Sequence, residues 1–366
     1  MQSVQIPLLI DTNPIDEFLP RPFHFEAIWT RDPRYGEVIK KAWKLEVPGS
    51  PTYKLCRKQT NTTSTLKKWN KEVYGFCKTR ISEISNRLVE VQKDAVSESN
   101  ARLEAKLQGE LEEWLRRNEM LWRQKSREMW LKDGDKNSKF FHLSTIIRRK
   151  KNSIDAIKDE GGSWLTCKKE IQRHIMEQFS QRFTEEPVDF PPNLENLIMP
   201  SISAEDNVDL CQIPTTQEIK DTIFSMGNQK PPSPDGLLTL FYKKYWNVVG
   251  SSVTEAIQNF FRSGKILKEV NHSLLVLIPK NNCSSSVNHY RPKSLCNTVY
   301  KAISKIMVSK LRPLLERLVS PCQSAFVPGR WIAKNQLIVH ELLHSFIETK
   351  GEGWFSCYEV RPPKGL

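Results

Sequence analysis

The run LLVLIPKNNCSSSVNHYRPKSLCNTVYKAISKIMVSKLRPLL at Leu274–Leu315, continued by ERLVSPCQSAFVPGRWIAKNQLIVHELLHSF to Phe346, decides how the rest of the chain is read. Its apolar start, Ser273 to Ile278, closes on Pro279-Lys280, the pattern of a buried strand that delivers a lysine to a loop. Arg291 stands eleven residues after Lys280, with the polar stretch Asn281 to Asn288 between them. Two cations flanking a short loop can converge on one polyanion, the arginine as a bidentate fork and the lysine as a point charge. The alternative for such a pair is two solvated surface charges.

The whole chain favours the first reading. Its 366 residues suit two to three domains with a sizeable core. Lys and Arg number 55 against 42 Asp and Glu, a net charge of +13 that points to a polyanionic partner. The eight cysteines form no CxxC pair and follow no secretory leader, so they read as reduced thiols of a nuclear or cytoplasmic, not a secreted, protein. No apolar run approaches about 18 residues, so no membrane span is expected.

Upstream, Ile6 to Ile10 reads as a short strand, followed by Pro14, Pro20 and Pro22 and then the apolar Phe23–Trp29. A strand so near the start is expected to be the end of a larger unit. From about Asp32 to Leu131 the pattern is helical and charged. Ile81, Ile84, Leu88 and Val91 share one face, and Leu103, Leu107, Leu111, Trp114 and Leu115 resume it after the polar Ser97–Asn100. The stripe is narrow, so these helices should pair with each other or lie across a larger body; a solvated spacer is the alternative.

Asp133-Gly134 marks a turn before a helix that ends in Arg148, Arg149, Lys150 and Lys151. Those four cations read as a grip on a nucleic-acid backbone, as a nuclear import signal, or as a solvated helix end. Asp133, Asp135 and Asn137 imitate half a calcium loop, but the glycine and terminal glutamate are missing. Glu160-Gly161-Gly162 between short apolar runs signals a hairpin. A helix carrying Ile171, Ile175, Phe179 and Phe183 follows, then a proline-punctuated linker over 185–201. Thr215 with Glu218 opens a helix bearing Ile219, Ile223 and Phe224. The stretch 227–236, with prolines at 231, 232 and 234, reads as a rigid loop able to present its backbone at low ordering cost.

Four segments in order, Lys230–Trp246 (KPPSPDGLLTLFYKKYW), Leu275–Lys280 (LVLIPK), Tyr290–Leu315 and Ser320–Arg330 (SPCQSAFVPGR), resemble consecutive motifs of plant LINE-type (non-LTR) retrotransposon reverse transcriptases. WLKDGDKNSKFFH at 130–142 and RPFHFEAIW at 21–29 are similar to segments between the endonuclease and polymerase of the same polyproteins. The resemblance implies that Lys280 and Arg291 hold the incoming nucleoside triphosphate. It implies that Pro234, Asp235 and Gly236 cover the template strand, and that Gln323, Phe326, Gly329 and Arg330 contact template and primer. For Phe326 and Gly329 the plain alternatives are a core side chain and a turn.

The departures from that pattern carry equal weight. Val4 and Gln5 stand where the family's nuclease has aspartate and histidine, so no nicking activity is expected. Lys293 stands where an apolar residue is usual, which would leave a charge on a core-facing position. Polymerisation needs carboxylates that hold two Mg²⁺ ions about 4 Å apart. Here Gly353-Trp354 is followed by FSCYEVRPPKGL, with Val360 near the place of the first aspartate, and adjacent aspartates occur nowhere. The expectation is polymerase fingers truncated before the catalytic palm, without bound Mg²⁺ and without DNA synthesis.

His340-Glu341-Leu342-Leu343-His344 also fits the HExxH signature of a zinc peptidase. A third ligand would have to come from Glu348, Glu352 or Glu359, and the same helix matches the reverse transcriptases, with Ile338, Leu342, Leu343 and Phe346 as its buried side.

The expected fold is therefore α+β, a mostly helical connector followed by the fingers part of a right-hand reverse transcriptase, palm absent. Its parts are an endonuclease vestige and linker (1–30), the helical connector (31–150), a small α+β segment with the proline-rich linker (151–227), partial fingers (228–350) and an off-pattern tail (351–366). RNA and DNA are the expected partners, with a nucleoside triphosphate as a further ligand. Residual nucleic-acid binding without catalysis, or an unstable relic that exposes apolar surface, are the other outcomes considered.

Overall fold

A computed structural model of the chain describes residues 23–74, 77–93, 97–127, 138–184, 201–228, 233–281 and 284–348. The expected strand at Ile6–Ile10, the Asp133–Asn137 triplet, most of the proline-rich linker and the off-pattern tail lie outside the described residues. Those described are mostly helical with two small two-stranded antiparallel sheets, an α+β fold. They form two compact units, one of 1–190 with 213–306 and the other of 191–212 with 307–366.

The first unit begins with a 3-10 turn at Ala27–Arg31 and the helices α1 (Tyr35–Trp43), α2 (Pro51–Trp69), α3 (Cys77–Lys93), α4 (Glu98–Ser126) and α5 (Ser138–Lys151). Strands β1 (Ile157–Lys158) and β2 (Trp164–Leu165) and helix α6 (Lys168–Phe183) follow. In the second unit, α7 (Ala204–Cys211) starts from a reciprocal capping box between Ser203 and Asp206. The first unit then resumes with α8 (Thr216–Phe224), α9 (Thr239–Lys244), α10 (Trp246–Ser263), α11 (Lys268–Asn271), β3 (Ser273–Pro279), β4 (Tyr290–Cys296) and residues 298–306 of α12 (Thr298–Leu311). The last helices are α13 (Leu315–Leu318) and α14 (Ile332–Glu348).

Aromatic side chains build the main core of the first unit. Phe25, Trp29 and Tyr35 from the upstream segment are buried with Trp69 of α2 and with Phe241, Tyr242 and Tyr245 from two hundred residues further on. Their rings meet edge-on or tilted, as in Phe25 against Phe241 at 5.9 Å and Tyr35 against Tyr245 at 5.7 Å. Each such ring buries about 150–250 Å², on the order of 4 kcal/mol of gross burial. The segment Phe23–Trp29 is thus integral to the core that it shares with Phe241, Tyr242 and Tyr245. Helix α2 has little helix propensity in its threonine-rich middle, where the Thr60, Thr62 and Thr65 hydroxyls bond back to carbonyls one turn earlier. Tertiary burial of Leu55, Leu66 and Trp69 holds it instead.

Helices α3 and α4 pack along each other. Ile81, Ile84, Leu88, Val91, Leu111 and Trp114 are half-buried and Leu107 is buried, whereas Leu103 and Leu115 are exposed, so the stripe pairs over part of its length. The far end of α4 joins the core. Gln124 accepts from the Ala27 amide at 2.8 Å and donates to the Phe25 carbonyl at 2.7 Å. Arg31 grips Glu113 with two nitrogens, at 2.8 and 2.7 Å, and this bond, with help from Arg117, draws the Glu113 carboxyl down to about 2. The β1–β2 hairpin turns at Gly162 in the left-handed region, φ +84°. Ile171 and Phe179 of α6 are buried with Ile157 in a second, smaller core, whereas Phe183 is exposed. Thr215 caps α8 by accepting from the Glu218 amide at 3.1 Å; Ile219 and Ile223 turn inward and Phe224 outward.

In the second unit, Arg317 pairs with Asp206 at 2.7 Å and Lys310 donates to the Asp209 carbonyl at 3.1 Å, which ties α7 to the helical stretch 307–318. The expected buried side of α14 is not buried at its described positions, and the Phe346 side chain lies outside them. Ile338, Leu342 and Leu343 are each about half exposed, because among the described residues no element covers them.

Candidate nucleic-acid interface

Strands β3 and β4 pair from Ser273 opposite Cys296 to Pro279 opposite Tyr290. The loop between them is stiffened by its own polar groups. The Lys280 amide donates to the His289 carbonyl and its ammonium to the Asn288 carbonyl, both at 2.8 Å. The Tyr290 hydroxyl donates to the Ser284 carbonyl at 3.2 Å, and the Lys158 amide to the Ser285 carbonyl at 2.7 Å. At the other end Asn297 donates to the Glu269 and Val270 carbonyls, holding the hairpin to α11.

Directly opposed residues of an antiparallel pair share a face, and the face changes at each residue along a strand. Leu277 and Tyr290 occupy one face and pack on the small core of Ile157, Ile171, Phe179 and Val287. Ile278 with Arg291, and Val276 with Lys293, occupy the other. Lys280 directly follows β3 and Arg291 is the second residue of β4, so the two expected cations flank the same stiffened loop. Two expectations are corrected here. Strand β3 is not buried: Leu274 and Val276 on the second face and Leu275 on the first are each more than a third exposed, because a single partner strand leaves this stretch of the hairpin little covered among the described residues. Lys293 is exposed, so it faces solvent and no charge is desolvated.

The loop expected to cover the template is organised inward. The Asp235 carboxylate accepts from the Ser233 hydroxyl at 2.5 Å and the Leu237 amide at 3.1 Å, and Tyr242 lies at 3.4 Å with its hydroxyl also taking a bond from Gln59 at 2.7 Å. Burial pushes the Asp235 carboxyl up, against the pull of those donors. Gly236 has φ +70°, and a Cβ there would stand 2.1 Å from the Phe23 carbonyl oxygen; its own carbonyl accepts from the Phe25 amide at 2.9 Å. Pro234 is half-buried between these two contacts. Asp235 and Gly236 therefore fasten the upstream segment to α9. Sequence reading missed Gln59 and Phe23, which lie far away along the chain, and Tyr242, which is only seven residues from Asp235 but turns inward on α9.

In the second unit the Arg330 guanidinium is occupied by four backbone carbonyls, those of Ser320, Gln323, Val319 and Glu316, at 2.6 to 3.2 Å. Gly329 turns the chain at φ +76°. Gln323 is exposed and reaches the Ala325 carbonyl at 3.4 Å. The loop so pinned holds Phe326 in the left-handed region at φ +63° with its side chain fully exposed, so Phe326 is not a core residue.

Arg149, Lys150 and Lys151 are exposed at the end of α5, and Arg148 is half-buried there. Lys150 and Lys151 border a polar cavity of about 210 Å³ together with Asp155, Asn281, Ser284 and Tyr290. The tetracationic run and the hairpin loop are thus neighbours, on the side of the hairpin opposite Arg291. His340, Glu341 and His344 lie exposed on α14, and no group of three His, Cys, Asp or Glu suited to a metal occurs among the described residues. Among those residues no helix is long and apolar enough to cross a membrane.

No protein-family model matches the chain. A comparison with curated proteins finds 27% identity over 222 residues, 60% of this chain, with the protein described as Transposon TX1 uncharacterized 149 kDa protein of Xenopus laevis. The matched stretch spans 17% of that much longer protein. The chain is thus distantly similar to a transposon protein.

Proposed function

We propose that the chain is a piece of a LINE-type retrotransposon RNA-directed DNA polymerase, and that the outward face of its β3–β4 hairpin holds nucleotide phosphates. The observation that carries this reading is the placement of Lys280 and Arg291 at the two ends of one stiffened hairpin loop, where Arg291 has no acidic partner among the described residues. A cation without a counter-charge is free to take a phosphate. The net charge of +13 and the similarity to a transposon protein support the same reading. RNA and DNA are the proposed partners, with an incoming nucleoside triphosphate as the smaller ligand, in the nucleus or cytoplasm.

These 366 residues, by themselves, are proposed not to synthesise DNA. Two-metal phosphoryl transfer requires paired carboxylates, and the sequence has no adjacent aspartates. The test has two arms. Binding of a labelled RNA or DNA oligonucleotide should weaken steeply between low and moderate salt, and a flat affinity would remove the nucleic-acid reading. Primer extension on an RNA template with Mg²⁺ should give no product above background; robust extension would refute the inactive assignment.

A further inference from the structure

Lys293 sits where the resemblance leads one to expect an apolar residue, and the register gives it a different task. It lies opposite Val276, two residues from Arg291 on the same strand and on the same outward face. Two residues of antiparallel strand place their Cα atoms about 7 Å apart. Neither side chain faces an acid among the described residues. Like charges side by side repel, so the pair is an arrangement that an anion would relieve. Val276 remains 39% exposed, leaving an apolar bed for the lysine stem while its ammonium stays in solvent.

We propose that Lys293 is a phosphate-binding residue that extends the outward face of the hairpin, with Arg291, along the backbone of a nucleic-acid strand. The proposal rests on the reading of that face given above. Arg291 and Lys293 stand side by side along β4, and each takes a successive phosphate of one strand. Lys280, held to the Asn288 carbonyl at the loop, marks the end of the row.

Lys293→Ile is the informative variant. Isoleucine suits an exposed strand, keeps a side chain over Val276 and removes only the charge. Binding of a single-stranded oligonucleotide is measured from low to moderate salt for the wild type, Lys293→Ile, Lys293→Arg and Arg291→Ala, with the thermal melt of each. Each phosphate contact on a single strand contributes about 0.7 to the slope of log K against log salt. Lys293→Ile should lower the slope by about that amount with an unchanged melt, and Lys293→Arg should keep it. An unchanged slope in Lys293→Ile while Arg291→Ala lowers it would overturn this proposal and leave the hairpin reading standing. Unchanged slopes in both would overturn both. A change confined to nucleoside triphosphate binding would also overturn it, by assigning Lys293 to the smaller ligand.

Discussion

The β3–β4 hairpin and the loop around Asp235 draw their functional expectations from the same resemblance, and the structure uses them in opposite ways. On the hairpin, Arg291 and Lys293 point to solvent without acidic partners among the described residues. In the loop, Asp235 is tied to Ser233, Leu237 and Tyr242, and Gly236 lies under the backbone of Phe23. Arg330 falls on the side of the loop, since four carbonyls of its own unit take its guanidinium. A polar side chain whose hydrogen-bonding capacity is taken up inside the fold acts on function through shape. One left open on the surface can act through charge. Mutations should therefore separate the two groups, the first through stability and the second through salt-dependent binding.

The sharpest break would come at Gly236. Alanine there would combine a left-handed backbone with a Cβ contact at 2.1 Å to the Phe23 oxygen. A loss of at least about 3 kcal/mol is expected in chemical denaturation, and a melt within error of the wild type would show that the upstream segment is not clasped there. Asp235→Ala should cost about 2 kcal/mol, because the buried Ser233 and Leu237 lose the acceptor of their hydroxyl and amide. The pH dependence has a definite sign. Burial raises the Asp235 carboxyl, so the folded state binds this proton more tightly than the unfolded chain. The stabilisation from that proton is complete below the ordinary aspartate range and is lost as pH rises through the raised folded value. Asp235→Asn should flatten that part of the stability profile; a profile unchanged in shape would mean that the carboxyl is not desolvated.

The smallest effect sharpens the comparison from the second unit. Phe326→Gly relieves a left-handed phenylalanine that buries nothing and should be neutral to stabilising by about 1 kcal/mol. Arg330→Ala should instead destabilise, leaving four carbonyls without their shared donor. If Phe326→Gly proved the more damaging of the two in a melt, the exposed placement of the ring would be wrong.

The local elements were legible because their signals are local. The Gly162 turn, the Thr215 cap, the stripe of α3 and α4 and the inward Ile171 and Phe179 all follow from spacing and turn chemistry. The run Ser273–Ile278 reads as buried because an apolar string cannot report how many strands or helices will cover it. The family resemblance makes Lys293 core-facing, although the alternation from Arg291 to Lys293 puts both on one face of β4. The helix α14 illustrates the same limit. Its apolar positions are helically spaced, yet Ile338, Leu342 and Leu343 remain about half exposed.

By itself the sequence determined the basic charge, the helical pattern upstream, the hairpin at Gly162 and the alternation that sets Arg291 and Lys293 on one face of β4. These depend on composition and on periods of a few residues. Only the tertiary structure decided which polar groups are spent inside the fold. Asp235 meets Gln59 through Tyr242, and Gly236 meets Phe23, across nearly two hundred residues or more of chain. No local period encodes such a meeting, because it exists only once the aromatic core has drawn the two segments together.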